Sequence, residues 1–234
     1  MDAPKVDGWW RRASRSLLTP RCLICRERGC NGRDLCVSCA DRLPWNLIAC
    51  LQCGLPMSAP GVCGDCLRDP PLLAETRAVF VYGFPLDRLV PRFKFHRDLA
   101  AGRLMADLMA GALASAPRPD ALVPVPLHAR RIRQRGYDQA LELARPLAAT
   151  LALPLRADLL QRIRATAAQS ELDAGQRRRN LARAFAVPEQ AALPDHVALV
   201  DDVMTTGATL AAAAHALRAA GVERVDAWVC ARVP

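Results

Sequence analysis

The sequence predicts an α/β protein: a mostly parallel sheet flanked by helices, preceded by a small cysteine-rich module. Two observations carry this. Nine of the ten cysteines fall between Cys22 and Cys66, and Cys230 stands apart. From Ala78 onward, short β-favouring apolar runs alternate with helix-patterned segments, as βαβ units do. A length of 234 residues, 52% hydrophobic and 24% charged, suits one large globular domain with a smaller companion.

The elements follow in order. Residues 1–21 form an N-terminal segment in which Trp9, Trp10, Leu17 and Leu18 give an amphipathic helical pattern, expected to pack on the main domain. No run of about 18 apolar residues is free of charge, so no membrane span is expected. The same stretch lacks the uninterrupted apolar core of a secretory signal, and a cytoplasmic protein is the expectation. Residues 22–75 form the cysteine module, with Arg68 to Ala74 as the joint and Pro70-Pro71 blocking helix continuation. In residues 76–234, Ala78 to Gly83 reads as a strand and Asp98 to Ala116 as a helix before Pro117. Ala121 to Val125 is a second apolar run, and Asp138 to Leu151 a helix with a kink expected at Pro146. Leu159 to Ile163 reads as a third strand and Asp173 to Ala184 as an Arg-rich helix. Val197 to Val200 is a fully apolar strand ending in two aspartates; Ala208 to Ala220 is a helix stopped by Gly221. Arg224 to Ala231 closes the chain as a strand that carries Cys230 as a small buried side chain.

Within the module, Cys22-x-x-Cys25, Cys36-x-x-Cys39, Cys50-x-x-Cys53 and Cys63-x-x-Cys66 are four regular pairs. A two-residue gap makes a tight knuckle that offers two thiolates to one tetrahedral Zn²⁺. Eight ligands predict two structural zinc ions, with no coordination position left for substrate or water. Disulfides are the competing reading, disfavoured without a secretion signal. Sequential pairing, Cys22, Cys25, Cys36 and Cys39 apart from Cys50, Cys53, Cys63 and Cys66, is preferred over an interleaved cross-brace, which the spacing also permits. Cys30 is surplus.

The net charge of +9, from 32 basic and 23 acidic residues, suits anionic partners such as phosphates, diphosphates or nucleic acid. Only Lys5 and Lys94 are lysines, so a compositional bias of the source genome accounts for the surplus equally well. Arg21, Arg26, Arg28, Arg33 and Arg42 with Trp45 permit single-strand binding by charge and stacking, although zinc ribbons also serve as plain scaffolds. His96, His128, His196 and His215 form no ligand-spaced pair.

The segment from Ala198 to Leu210, ALVDDVMTTGATL, points to a phosphorylated ribose. Its strand is apolar on both faces, as a central parallel strand must be, and the acids stand at its carboxyl end, where open α/β sheets hold ligands. Thr205-Thr206-Gly207 turns into a helix whose first N–H groups lack internal partners and whose dipole favours an anion. Asp201 and Asp202 cannot favour phosphate, but they accept hydrogen bonds from vicinal ribose hydroxyls. A capping threonine beside solvated loop acids is the bland alternative for either feature alone.

Four apolar residues, two acids and Thr-Thr-Gly-x-Thr resemble the motif that binds phosphoribosyl diphosphate (PRPP) in type I phosphoribosyltransferases. That resemblance implies a type I phosphoribosyltransferase-like sheet. It assigns Asp201 and Asp202 to the ribose and to catalysis, and Thr205, Thr206, Gly207, Ala208 and Thr209 to the 5′-phosphate. Leu122 to His128, Arg131, Arg135-Gly-Tyr137 and Gln139 narrow the likeness, as do Tyr82, Lys94-Phe95, Gln169, Arg177, Asn180, Phe185 and the cysteines. Together they resemble the ComF family, named for DNA uptake in natural competence and related to the GntX proteins, from about Leu17 to the end. By that resemblance Pro126, Leu127, His128, Arg131 and Arg135 meet the diphosphate, and Gln169, Arg177 and Asn180 belong to a mobile loop spanning Arg162 to Arg183. Transfer of phosphoribosyl to an acceptor, with release of diphosphate and Mg²⁺ carried largely by PRPP, is the implied reaction. Binding of PRPP without turnover, with single-stranded DNA or competence proteins as partners, is the alternative. Asp138 departs from the asparagine expected after the Arg-Gly-aromatic triplet.

Overall fold

The structure, a computed structural model, describes residues 20–164 and 184–234. Internal contacts divide the chain into two compact units, Met1–Leu43 and Pro44–Pro234. The N-terminal helix pattern, most of the Arg-rich helix, and Gln169, Arg177 and Asn180 lie outside the described residues.

The first unit is one ribbon. Arg21 and Arg28 form an antiparallel bridge, and Cys22 N–H donates to Glu27 O across the first knuckle. The second knuckle opens a short helix, α1 (Val37–Ala40), with Cys36 at its N-cap. Leu35, Leu43 and Cys22 are buried. Arg21, Arg26, Arg28, Arg33 and Arg42 are all exposed.

The second unit begins with a ribbon built on the same plan. Cys50 N–H donates to Leu55 O, as Cys22 does to Glu27, and Cys63 caps the helix α2 (Gly64–Arg68) as Cys36 caps α1. This ribbon is tied to the sheet. Asn46 N–H bonds Val79 O, Val81 N–H bonds Pro44 O, and Thr76 N–H bonds Leu51 O. Trp45 packs on Phe80 with ring centroids 4.6 Å apart. The residues before Cys50 therefore cover the outer edge of the first strand, β1 (Thr76–Val81), an edge that would otherwise present unpaired backbone groups.

Two helices follow. The first, α3 (Leu86–Phe95), has no counterpart among the sequence expectations, because Pro91 in its interior removes an N–H and lowers helix propensity. Leu86, Leu89, Val90 and Phe93 nevertheless make one buried face at helical spacing. The second, α4 (Leu99–Leu113), starts where Asp98 accepts Ala101 N–H. Gly102 on α4 is required by packing, since a Cβ there would meet the Phe93 ring at 2.4 Å.

Next come β2 (Ala121–Pro124), α5 (Ala129–Arg135) and α6 (Gln139–Leu151), which continues through Pro146. Of the strand expected at Leu159 to Ile163, only β3 (Gln161–Arg162) forms. It pairs antiparallel with β4 (Phe185–Ala186), outside the main sheet, while Leu159 and Leu160 turn into the core instead. The chain ends with β5 (His196–Met204), α7 (Ala208–Ala220) and β6 (Arg224–Arg232). The main sheet has the order β1-β6-β5-β2 with every pairing parallel. One of its faces, with Val197, Leu199, Ala227 and Val229, packs against Leu210, Ala213, Ala214 and Leu217 of α7. The chain is thus the mixed α/β protein expected from the alternation, a parallel sheet flanked by helices.

Candidate functional site

The carboxyl end of β5 is where the sheet opens. Val197 to Val200 are fully buried between β2 and β6. β2 stops at Pro124, paired with Val200, whereas β6 runs on beside β5 as far as Arg232, paired with Met204. Beyond Val200, β5 therefore has a neighbour on one side only. The sequence suggested a strand ending at the acids; it continues through Asp201 and Asp202 to Met204, because β6 supplies hydrogen-bond partners there.

Strand alternation sends the two carboxylates to opposite faces. Asp202 is buried, and its Oδ1 takes both Lys94 Nζ at 2.9 Å and Val203 N–H at 2.6 Å. Asp201 is half-buried and its Oδ1 accepts Asp202 N–H at 2.8 Å. Loss of hydration, and then the adjacent Asp202 charge, raise the Asp201 carboxyl to about 8 against the pull of that N–H and of Lys94.

Thr205 and Thr206 are exposed, and Gly207 takes φ +75° just before α7. Residues with a Cβ are strained in that conformation, so the turn requires glycine. Gly207 offers no capping side chain. Thr206 Oγ1 receives Ala208 N–H only at 3.4 Å, which leaves the first turn of α7 suited to an external anion.

Val125 N–H bonds Val200 O at 3.0 Å and fixes the Pro126–His128 turn beside β5. His128 caps α5, its Nδ1 accepting Arg130 N–H at 3.2 Å, so in the neutral ring the proton sits on Nε2. Arg131 is half-buried, whereas Arg130 and Arg133 are exposed. Arg135 is already engaged, donating to Gln139 Oε1 at 2.8 Å with its guanidinium 5.1 Å from the Phe95 ring centre.

Asp138 explains its own departure from asparagine. One carboxylate oxygen accepts Leu127 N–H at 2.7 Å and the other accepts Leu141 N–H at 3.2 Å. It thereby holds the 126–128 turn and caps α6 together; because the two N–H groups meet different oxygens, an amide in this position would turn its NH2 toward one of them. Burial raises this carboxyl despite those N–H donors.

Two further groups belong to this region. Arg162 on β3 lies within electrostatic reach of Arg131, Asp201 and Asp138, and its guanidinium stands 5.3 Å from the Phe185 ring centre. Loss of hydration lowers its pKa. Lys94 of α3 reaches Asp202 from 108 positions earlier in the chain, counting 202 − 94. Sequence reading gave neither residue a contact. For Lys94 the available signals were its place in the Lys94-Phe95 pair of the family resemblance and its rarity in a chain whose other basic residues are almost all arginine.

The cysteines gather in sequential quartets. Cys22, Cys25, Cys36 and Cys39 form one, and Cys50, Cys53, Cys63 and Cys66 the other, with all four sulfurs of each within 4.8 Å. Zn–S bonds of about 2.3 Å set a tetrahedral S···S edge of about 3.8 Å. The Cys25–Cys36 and Cys53–Cys63 separations are 3.5 and 3.7 Å, which fit that edge and are far too long for disulfides. Burial would raise the Cys22 and Cys50 thiols, but backbone N–H donors around their sulfurs outweigh it and bring each to about 6. Thiolate is the form that binds metal. Cys30 lies outside both quartets. Among the described residues these two quartets are the only Cys, His, Asp or Glu groups close enough to hold a metal ion, and no helix is long and apolar enough to cross a membrane.

Comparison with known proteins bears on both parts. Residues 13–67 match the family model described as a double zinc ribbon domain. The chain is 38% identical over 221 residues to the DNA utilization protein YhgH of Salmonella typhi, covering 90% of this chain and 96% of that protein. It is 36% identical over 224 residues to competence protein F of Haemophilus influenzae, covering 91% and 96%. Competence protein ComFC of Bacillus subtilis is 31% identical over 193 residues, covering 78% of this chain and 77% of that one.

Proposed function

The chain belongs to the ComF family, that of competence protein F, ComFC and YhgH, and on that premise we propose that it binds PRPP at the open end of β5 in the service of DNA uptake or utilisation. The observation that carries this reading is the junction of β5 and α7, where an acidic pair adjoins an uncapped helix start at the end of a parallel strand. Asp201 and Asp202 accept hydrogen bonds from the ribose hydroxyls. Thr205, Thr206, Gly207, Ala208 and Thr209 surround the 5′-phosphate. Pro126, Leu127 and His128, with Arg131 and Arg135, face the diphosphate, His128 through its Nε2 proton. Mg²⁺ would come with PRPP, coordinated largely by the ligand's own diphosphate oxygens.

As a transferase, the protein would break the bond from ribose C1 to diphosphate and form one from C1 to a nucleophilic acceptor, whose proton passes to solvent. Arginines would stabilise charge developing on the leaving diphosphate. A second reading, PRPP binding without turnover, is favoured by the relatives' names, which speak of DNA utilization and competence and not of a transferase. The exposed arginines of the first ribbon suit single-stranded DNA in that reading. Two measurements separate the readings. Diphosphate release from PRPP–Mg²⁺ across a metabolite panel supports the transferase. No release, with single-stranded DNA altering PRPP affinity, supports the sensor, because coupling between two ligands is reciprocal. Absence of PRPP binding at millimolar concentration contradicts both.

A further inference from the structure

We propose that Lys94 is the counter-ion that makes the acidic pair usable for an anionic sugar: it neutralises Asp202 and fixes one of its oxygens, leaving the other for a ribose hydroxyl. This role rests on the PRPP reading of the site. A buried Asp202 carboxylate accepts a ribose hydroxyl well but repels a ligand with one phosphate and one diphosphate group. At 2.9 Å the Lys94 ammonium cancels that charge.

The geometry is specific. Asp202 is 5% exposed, and a charge so buried needs a partner. Lys94 Nζ and Val203 N–H both fall on Oδ1, so the carboxylate is fixed on one side, and among the described residues Oδ2 has no hydrogen-bond partner. Lys94 is itself well placed, because Phe93 beside it packs into the space left by Gly102 on α4. Other charged or titratable groups around the acids are Asp138 at the head of α6, Arg162 on β3, with Arg131 of α5 near it, and the buried Cys230 thiol on β6. Lys94 touches no reacting atom in this account; it is a positioning residue.

The test compares the full zinc-loaded chain with Lys94→Met and Lys94→Arg, titrating PRPP–Mg²⁺ at pH 7 and following thermal unfolding alongside. Removing the cation leaves the Asp202 carboxylate uncompensated beside the ligand's phosphates and free to turn. Lys94→Met is expected to bind at least tenfold more weakly. Lys94→Arg, which keeps the charge, is expected to stay within about fivefold of the original. Wild-type affinity in Lys94→Met overturns the role, as does equal loss in both variants, which marks packing alone. If the wild-type chain fails to bind PRPP, the site reading itself fails and this role falls with it.

Discussion

Asp201 and Asp202 are neighbours in sequence with opposite energetic standing. Folded Asp201 keeps its proton to about pH 8, whereas the ordinary value is 3.8. The native state therefore binds more protons than the unfolded chain between those values, and stability falls as pH rises through that window. Asp201→Asn removes that cost and is expected to stabilise the unliganded protein at pH 8 by on the order of 1–2 kcal/mol in urea unfolding. Asp202→Asn works in the other direction, because it leaves the Lys94 ammonium facing a neutral amide. It is expected to destabilise by roughly 1–3 kcal/mol. A site residue whose neutralisation stabilises the fold is one retained for ligand contact, and equal effects of both substitutions would contradict this asymmetry.

Among the elements, the βαβ alternation was legible because β5, α7 and β6 carry strong local signals: an apolar run, an alanine-rich segment and Gly221 as its stop. α3 was hidden by Pro91, and the strand expected at Leu159 to Ile163 is cut to the two residues of β3 because it pairs with the two-residue β4 at Phe185, far along the chain. The Asp-Asp and Thr-Thr-Gly segment could be read from spacing as a strand end, an acidic pair and a glycine turn into a helix. The Lys94–Asp202 pair could not, since it requires α3 to be placed first. Asp138 shows how one side chain links elements. Asp138→Ala would uncap α6 and release Leu127 N–H together, costing about 1–2 kcal/mol. Asp138→Asn would keep the cap and lose one contact, about half as much. Chemical denaturation of the two variants checks the order, and weaker PRPP binding in both is expected from a loosened 126–128 turn.

Across the whole molecule, the two ribbons share a plan but not a setting. The second is bonded into the sheet unit, with Arg232 Nε donating to Cys53 O at 3.0 Å and Thr76 N–H to Leu51 O. Cysteine spacing was enough to identify both quartets, but it carries no trace of this packing, which depends on backbone groups at Asn46, Leu51 and Cys53. Metal loss should therefore act unequally. Elemental analysis is expected to give two zinc ions per chain, and one ion would contradict the eight-ligand account. Cys50→Ser with Cys53→Ser should lower the unfolding temperature of the sheet unit and weaken PRPP binding, whereas Cys22→Ser with Cys25→Ser should leave both nearly unchanged. The central claim concerns the open end of β5, and calorimetric titration with PRPP and Mg²⁺ tests it most directly. The account predicts one PRPP per chain for the wild type and none for Asp201→Asn with Asp202→Asn, in a protein that still unfolds cooperatively. Equal affinity in that double variant would contradict it.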